Sequence, residues 1–386
     1  MSNICKAPFF YIEVFGDGNV YNCCPSYIKF PIGNFYKNSI EEIWNSQQAK
    51  AIRKQILKNN YSCCMTELCG NNSNPALKEL EYIDTNIYLK EEMPLPKFVK
   101  FCHDFECNVH CITCRKNIMC QSKENLEKLN SEIDTYYLPL LKNAETVCMN
   151  GSGDCLASRH GRIFLKRIAE TYPNIKFDLH TNGLLCDEKL LKELGILNRL
   201  SIVEISLHAS TKETYDKIVL GSDWDKVIKN IEWLSNLKKQ GKIDDLLLFF
   251  VVDNINYKEM PDFVKLAEKY GAQAYFWTYR NWGVQNEKEA REMSIFDKRH
   301  RDYNELVKVL HNDIFNSKNC HLNPMLLEIS KSNEIKRTKK EEKESKKWHN
   351  VKIKSKKCLK YRLLKYIYKR VKKLSDKLEN KLSKYQ

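Results

Sequence analysis

Between residues 97 and about 280 the chain alternates short apolar segments with amphipathic ones. KFVKF, TVCMN, IKFDLHT, LSIVEISL, LLLFFVV and AQAYFW read as strands; ENLEKLNSEIDTYYLPLL and PDFVKLAEKYG read as helices. Six strand–helix units in succession, with near-continuous apolar strands, point to an α/β fold with a parallel sheet covered by helices. Right-handed crossovers would curl six such units into a partial (βα)6 TIM-type barrel, open along one side.

The flanks read differently. In residues 1–70 the runs FFYIEVF and NVYNCC are joined by the turn Gly16-Asp17-Gly18, and one helix follows. Ser39 and Glu42 form an S-x-x-E capping box, and Ile43, Trp44, Ile52 and Ile56 recur on one helical face. Residues 76–96 read as a linker ending in MPLP. After about residue 284 the pattern decays into helical and then Lys-rich text, with RTKKEEKESKKWHN low in apolar residues.

Residues 331–386 hold 22 Lys and Arg against 6 Asp and Glu, so the tail carries the whole charge excess of a chain whose net charge is +15. Residues 1–330 are close to neutral, and no nucleic-acid partner is expected. Leu364, Ile367, Val371, Leu374, Leu378 and Leu382 recur at spacings of three and four among lysines, the pattern of a basic amphipathic helix. Such a helix is expected to rest on an anionic membrane surface or a partner, or else to be solvated or self-packed. With no apolar run of spanning length and no signal-peptide pattern, the expected location is cytoplasmic, with the tail as a peripheral contact to the inner membrane face.

Sixteen cysteines in such a chain read as metal ligands. Six fall in the first seventy residues, and five more lie between Cys102 and Cys120. The sharpest pattern is Cys107-Asn-Val-His-Cys111-Ile-Thr-Cys114, a C-x3-C-x2-C run just after the first barrel strand. Three thiolates from one loop hold three irons of a [4Fe–4S] cubane and leave the fourth open to a small molecule. The plainer alternative is a zinc loop completed by Cys102, Cys120 or His110.

This spacing after the first strand resembles the radical SAM superfamily. The resemblance implies that the open iron chelates the amino and carboxylate groups of S-adenosylmethionine (SAM). An electron from the cluster then cleaves SAM to a 5′-deoxyadenosyl radical, which takes hydrogen from the substrate. Thr113 stands where the family usually has an aromatic residue that contacts adenine. Gly151-Ser152-Gly153-Asp154 after the second strand resembles the family's Gly-Gly-Glu element, which binds the methionine amine; the alternative is a plain glycine-rich turn. Thr181 and Asn182 after the third strand, and Ser206 after the fourth, resemble its ribose and carboxylate contacts. Trp282-Gly283 near the sixth strand would lie toward the adenine end. Cys155 would return a hydrogen atom to a substrate radical, as an epimerase requires, or else is a passive loop residue.

Cys5-x12-Gly18-x4-Cys23, with the helical segment IGNFYKNSIEEIWNS, resembles the opening of a SPASM domain, the auxiliary iron–sulfur module that usually follows a radical SAM core. Here it precedes the core. The resemblance implies one auxiliary [4Fe–4S] cluster with Cys5, Cys23, Cys64 and Cys69 as ligands. A four-cysteine zinc site is the alternative. Adjacent residues on an extended chain face opposite ways, so Cys23 and Cys24 should not serve one cluster together. The Cys63–Cys64 pair is open in the same way.

The expected organisation is an auxiliary module over 1–75, a linker over 76–96, a radical SAM core over 97–285 and a helical, Lys-rich extension over 286–386. The expected activity is oxidation or epimerisation of a small-molecule or glycan substrate, with a flavodoxin- or ferredoxin-type reductant. Only four residues precede Cys5, too few for a peptide-recognition segment. The competing readings are a peptide- or protein-modifying maturase and a non-catalytic iron–sulfur or zinc scaffold.

Overall fold

The N-terminal strands β1 (Tyr11–Phe15), β2 (Asn19–Tyr21) and β3 (Gly33–Asn34) form an antiparallel meander, with Gly18 at φ +85° in the first turn. In the computed structural model, which describes residues 5–28, 30–65, 69, 93–149, 153–335 and 342, this meander is not a separate sheet. It continues into β4 (Phe98–Cys102): β1 pairs with β4 in parallel from Tyr11↔Phe98 to Phe15↔Cys102. Pairing between strands more than 80 residues apart leaves no local signal in the sequence.

Beyond β4 the order of the parallel strands is β6 (Thr146–Met149), β7 (Lys176–Thr181), β8 (Leu200–Ser206), β10 (Asp245–Val252) and β11 (Gln273–Thr278). These are the six expected barrel strands in the expected sequence. A further strand, β12 (Cys320–Leu322), adds in parallel to β11. It lies in the stretch read as purely helical and is only three residues long. A two-stranded ribbon of β5 (His110–Cys111) and β9 (Val219–Leu220) stands apart from the main sheet.

Helices cover one face. Phe101, Phe250 and Phe276 turn toward that layer and meet Phe164 and Phe263, with ring centroids 4.9 Å, 4.7 Å and 5.6 Å apart for Phe101–Phe164, Phe250–Phe263 and Phe263–Phe276. Because side chains alternate across a strand, Lys100, Cys102, Phe249 and Tyr275 look the other way, into the concave side. The strands are therefore not apolar on both faces as expected. Charged side chains occupy the inner face, where a partial barrel leaves a lumen.

The helix expected after the meander is two helices, Ile40–Trp44 and Gln47–Leu57. The Ser39–Glu42 capping box opens the first; Ser46 opens the second by accepting from Ala49 N at 3.2 Å. Ile43, Trp44, Ile52 and Ile56 are all buried. Residues 70–92, most of the expected linker, and the tail with Leu364 to Leu382 lie outside the described residues. Among the described residues no helix is long and apolar enough to cross a membrane.

Candidate functional site

The loop after β4 is pinned on both sides. Cys107 N donates to Met119 O at 2.9 Å, Cys111 pairs with Val219, and Cys114 N donates to Cys111 O at 2.9 Å. Cys107 is buried, Cys111 half-buried and Cys114 exposed. Burial, then the neighbouring Cys114 and Cys107, push the Cys111 thiol up to about 12. Burial also raises Cys107, with Asp154 adding to the shift and Arg115 opposing it. Arg115 Nη2 donates to Cys114 Sγ at 3.4 Å; burial weighs against its charge, yet Cys114, Cys107 and Cys111 hold it above its ordinary value. A guanidinium thus stands where three thiols gather, and the sequence reading passed over it.

This donor set fits an iron–sulfur cluster: three soft ligands from one loop, with a cation beside them. Among the described residues no three His, Cys, Asp or Glu side chains converge tightly enough for a single metal ion. Each iron of a cubane takes its own thiolate, so a cluster does not require that convergence. No disulfide joins the described cysteines.

The second-strand element is only partly described, since Gly151 and Ser152 lie outside the described residues. A Cβ on Gly153 would stand 2.3 Å from Glu106 O and 2.6 Å from Phe105 C. That glycine admits the backbone leading into the cysteine loop. Asp154 departs from its expected role toward an ammonium group. Its Oδ1 accepts from Leu156 N (3.0 Å) and Ala157 N (3.1 Å), and its Oδ2 from Thr181 Oγ1 (2.8 Å) and Asn182 N (2.7 Å). All its acceptor sites are taken. Asp154 is a buried brace between the ends of β6 and β7, and Thr181 is committed to it.

Asn182 reaches the cysteine loop directly: its Nδ2 donates to Asn108 Oδ1 at 2.8 Å and lies 4.0 Å from Cys107 Sγ. Ser206 is half-buried at the end of β8 on the inner face. Two residues on, His208 adopts φ +62°; burial lowers it to about 4, and its Nδ1 accepts from Val251 N at 3.2 Å. Trp282 is 66% exposed, and the contact near the sixth strand comes instead from Gln285, whose Nε2 donates to Ile112 O. A cleft of about 470 Å³ lined by Ile112, Asn254, Ile255 and Gln285 opens there. Asn254 Oδ1 and Asp253 Oδ2 in the same loop are buried acceptors without a donor.

Cys155 is buried in the loop after β6, and burial first, then Asp154, Cys186 and Cys148, drive its thiol well above the usual range. The thiols on the inner face are Cys102 and Cys148. The lumen also holds Glu13, Lys100 and Glu204, charges embedded in apolar strands. Glu13 faces Lys100 in register, with 3.9 Å between Oε1 and Nζ, and Lys100 faces Cys148. His180 Nδ1 and Glu204 Oε1 stand 3.2 Å apart. Burial raises Glu204 to about 7, Lys100 opposing and Asp178 adding; burial, then Lys100, lowers His180 to about 3. Lys100 on β4 and Glu204 on β8 sense each other across three strand spacings, which the curl of the sheet permits.

The N-terminal cysteines gather as well. Burial first, then Cys5, Cys69, Cys24 and Cys64, raise Cys23 well above its ordinary value. Cys64 rises to about 12 and Cys69 to about 11, in both cases chiefly through burial. Cys24 differs from its neighbour: after burial its strongest influences are Glu13 and Lys100, inside the lumen. Cys63 and Cys64 have Sγ atoms 3.7 Å apart, and both influence Cys5 or are influenced by it. Burial first, then Cys24 and Cys69, raise Tyr27, with Arg280 opposing.

Comparison with known proteins agrees with this geometry. Residues 105–267 match the radical SAM superfamily, and residues 5–70 match SPASM, an iron–sulfur cluster-binding domain. The chain is 25% identical over 187 residues to the FeMo cofactor biosynthesis protein NifB of Methanocaldococcus infernus, covering 42% of this chain and 60% of that protein. It is 32% identical over 131 residues to NifB of Methanocaldococcus jannaschii, covering 32% of this chain and 43% of that protein. The matched stretches thus span less than two thirds of these relatives. Among solved structures, Streptococcus suis SuiB bound to precursor peptide SuiA aligns with TM-score 0.41 at 14% identity, covering 78% of this chain and 68% of that one. A radical SAM domain brings a [4Fe–4S] cluster and SAM, and a SPASM domain brings auxiliary iron–sulfur chemistry. The chain is a radical SAM protein with a SPASM-type iron–sulfur domain ahead of its core.

Proposed function

We propose that this protein oxidises or epimerises a small, polar, hydroxyl-rich substrate, such as a sugar or glycan intermediate, held in the barrel lumen. The observation that carries the reading is the charged inner face: Glu13, Lys100, His180 and Glu204 on strands whose outer face is apolar. These groups already pair with one another; an apolar ligand would gain nothing from them, whereas hydroxyl groups can take up the remaining hydrogen-bonding capacity of both the carboxylates and the ammonium.

In this reading Cys107, Cys111 and Cys114 hold the SAM-binding cluster, and Cys5, Cys23, Cys64 and Cys69 the auxiliary one. When bound, these groups supply the electron that splits SAM into a 5′-deoxyadenosyl radical and an acceptor for the electron an oxidised substrate gives up. Arg115 offsets the thiolate charge, and Asn182 holds Cys107 in place. Ser206, at the end of β8, contacts SAM. Glu204, poised near neutrality beside a neutral His180, accepts a proton from the substrate, and Lys100 orients a substrate oxygen.

The test is iron, sulfide and 5′-deoxyadenosine measured together on anaerobically reconstituted protein, comparing wild type with the Cys107/Cys111/Cys114→Ala variant. About eight irons should fall to about four, with loss of 5′-deoxyadenosine. Zinc in place of iron, or no SAM cleavage from a loaded cluster under strong reductant, overturns the reading in favour of a scaffold. Lys100→Ala should then raise KM for a sugar substrate while leaving substrate-free SAM cleavage intact.

A further inference from the structure

We propose that Trp277 is a stacking platform for a pyranose ring, so that the substrate is a cyclic sugar and not an open-chain polyol. This rests on the reading of the lumen as the seat of a hydroxyl-rich substrate.

The inner face of the sheet has two chemically different halves. On β4, β7 and β8 it carries Lys100, His180 and Glu204; on β10, β11 and β12 it carries Phe249, Tyr275, Trp277 and His321. The halves meet where Ser206 stands in register with Phe249. Alternation puts Trp277 on the same face as Tyr275, two residues earlier in β11. Tyr275 and His321 cover one another, stacked with ring centroids 4.3 Å apart. Gln273 holds both polar ends: His321 Nε2 lies 2.6 Å from its Oε1, and Tyr275 Oη donates to the same oxygen at 3.4 Å.

Phe249 and Trp277 are left over. Both are half-buried, and their planes are only 24° apart, but their centroids are 6.3 Å apart, so they lie side by side and not one over the other. Their strand neighbours Phe250 and Phe276 join the apolar core, whereas these two rings do not. The Trp277 indole N–H has no acceptor among the described residues and is not sealed from solvent. A ligand that fits between the two halves has an apolar face and a polar edge. A pyranose presents a patch of C–H groups on one face, which suits the electron-rich face of an indole. Its hydroxyls lie around the rim, toward the indole N–H and the charged wall. An open-chain polyol has the hydroxyls without a fixed face, and a planar heterocycle has the face without the hydroxyls.

The test is calorimetric titration of full-length, reconstituted protein with SAM present, as wild type, Trp277→Ala and Trp277→Phe. The probes are the methyl pyranosides of glucose, galactose and mannose, the matching open-chain alditols, and uridine. At least one pyranoside should bind wild type, and its Kd should rise about tenfold or more in Trp277→Ala and return to within about threefold in Trp277→Phe. The matching alditol should bind more weakly and be indifferent to either substitution. Equal pyranoside Kd in wild type and Trp277→Ala overturns the platform and leaves the sugar reading standing. No pyranoside binding in wild type overturns the sugar reading, and the platform with it. Binding of uridine alone, lost in Trp277→Ala, assigns the indole to a planar heterocycle and overturns the proposal. Binding lost in both variants together with a lowered Tm marks the indole as structural, which also overturns it.

Discussion

Cys102 on β4 donates its thiol hydrogen to Glu13 Oε1 on β1, 3.2 Å away. The two residues are 89 positions apart, one in the SPASM-type domain and the other in the first barrel strand. Glu13 also accepts from Tyr11 Oη at 2.6 Å and faces the Lys100 ammonium. The auxiliary domain therefore contributes a wall of the lumen through one buried carboxylate.

Removing that carboxylate leaves Lys100 buried without its nearest counter-charge. Burial disfavours the ammonium, and Glu13, ahead of Cys102, is what holds it charged. Glu13→Ala should destabilise the protein by about 3 kcal/mol, with Glu13→Gln milder, as read from urea unfolding midpoints.

Glu204 makes stability depend on pH. Its folded value, raised by burial to about 7, exceeds the unfolded value, so the folded state binds more protons between about pH 4.5 and 7. Stability should fall as pH rises through that window, by up to about 3 kcal/mol from this group. His180 and His208, whose folded values lie below the unfolded one, act in the opposite sense below about pH 6.5, so Glu204→Gln should make the slope between pH 5 and 7 more positive than in wild type, and an identical slope in the variant would assign the effect elsewhere.

As a brace, Asp154 affects stability before ligand affinity. Asp154→Ala leaves Leu156 N, Asn182 N and the Thr181 hydroxyl without this acceptor, Ala157 N keeping the backbone oxygen of residue 154, and should cost about 2–4 kcal/mol; Asp154→Asn, which keeps one acceptor oxygen, should cost less. Thermal unfolding of protein without SAM reads this directly. A ligand to the ammonium of SAM would instead weaken SAM binding with Tm unchanged.

At Gly153 even a methyl group collides with the Glu106 backbone. Gly153→Ala should cost about 1–3 kcal/mol by overpacking and shift the loop that carries Cys107. Iron bound per chain after reconstitution should therefore drop.

The basic tail predicts electrostatic adhesion. Full-length protein should co-sediment with vesicles containing phosphatidylserine at low salt and lose this in a form ending near residue 345. Equal sedimentation of both forms ends the membrane reading.

What the sequence alone determined was local. Cys107, Cys111 and Cys114 lie within eight residues, so their spacing was legible directly, as were the Ser39–Glu42 cap and the six barrel strands with their order. Lys100 and Glu204 were visible as charges inside apolar strands, a sign of a polar inner face that near-continuous hydrophobicity obscured. Tertiary structure decided everything that depends on distant partners. The joining of β1 to β4 and the addition of β12 depend on which strands pair and which way each face turns. Asp154 shows the reason most simply: four donors from two strand ends converge on its oxygens, and only the folded chain brings them together.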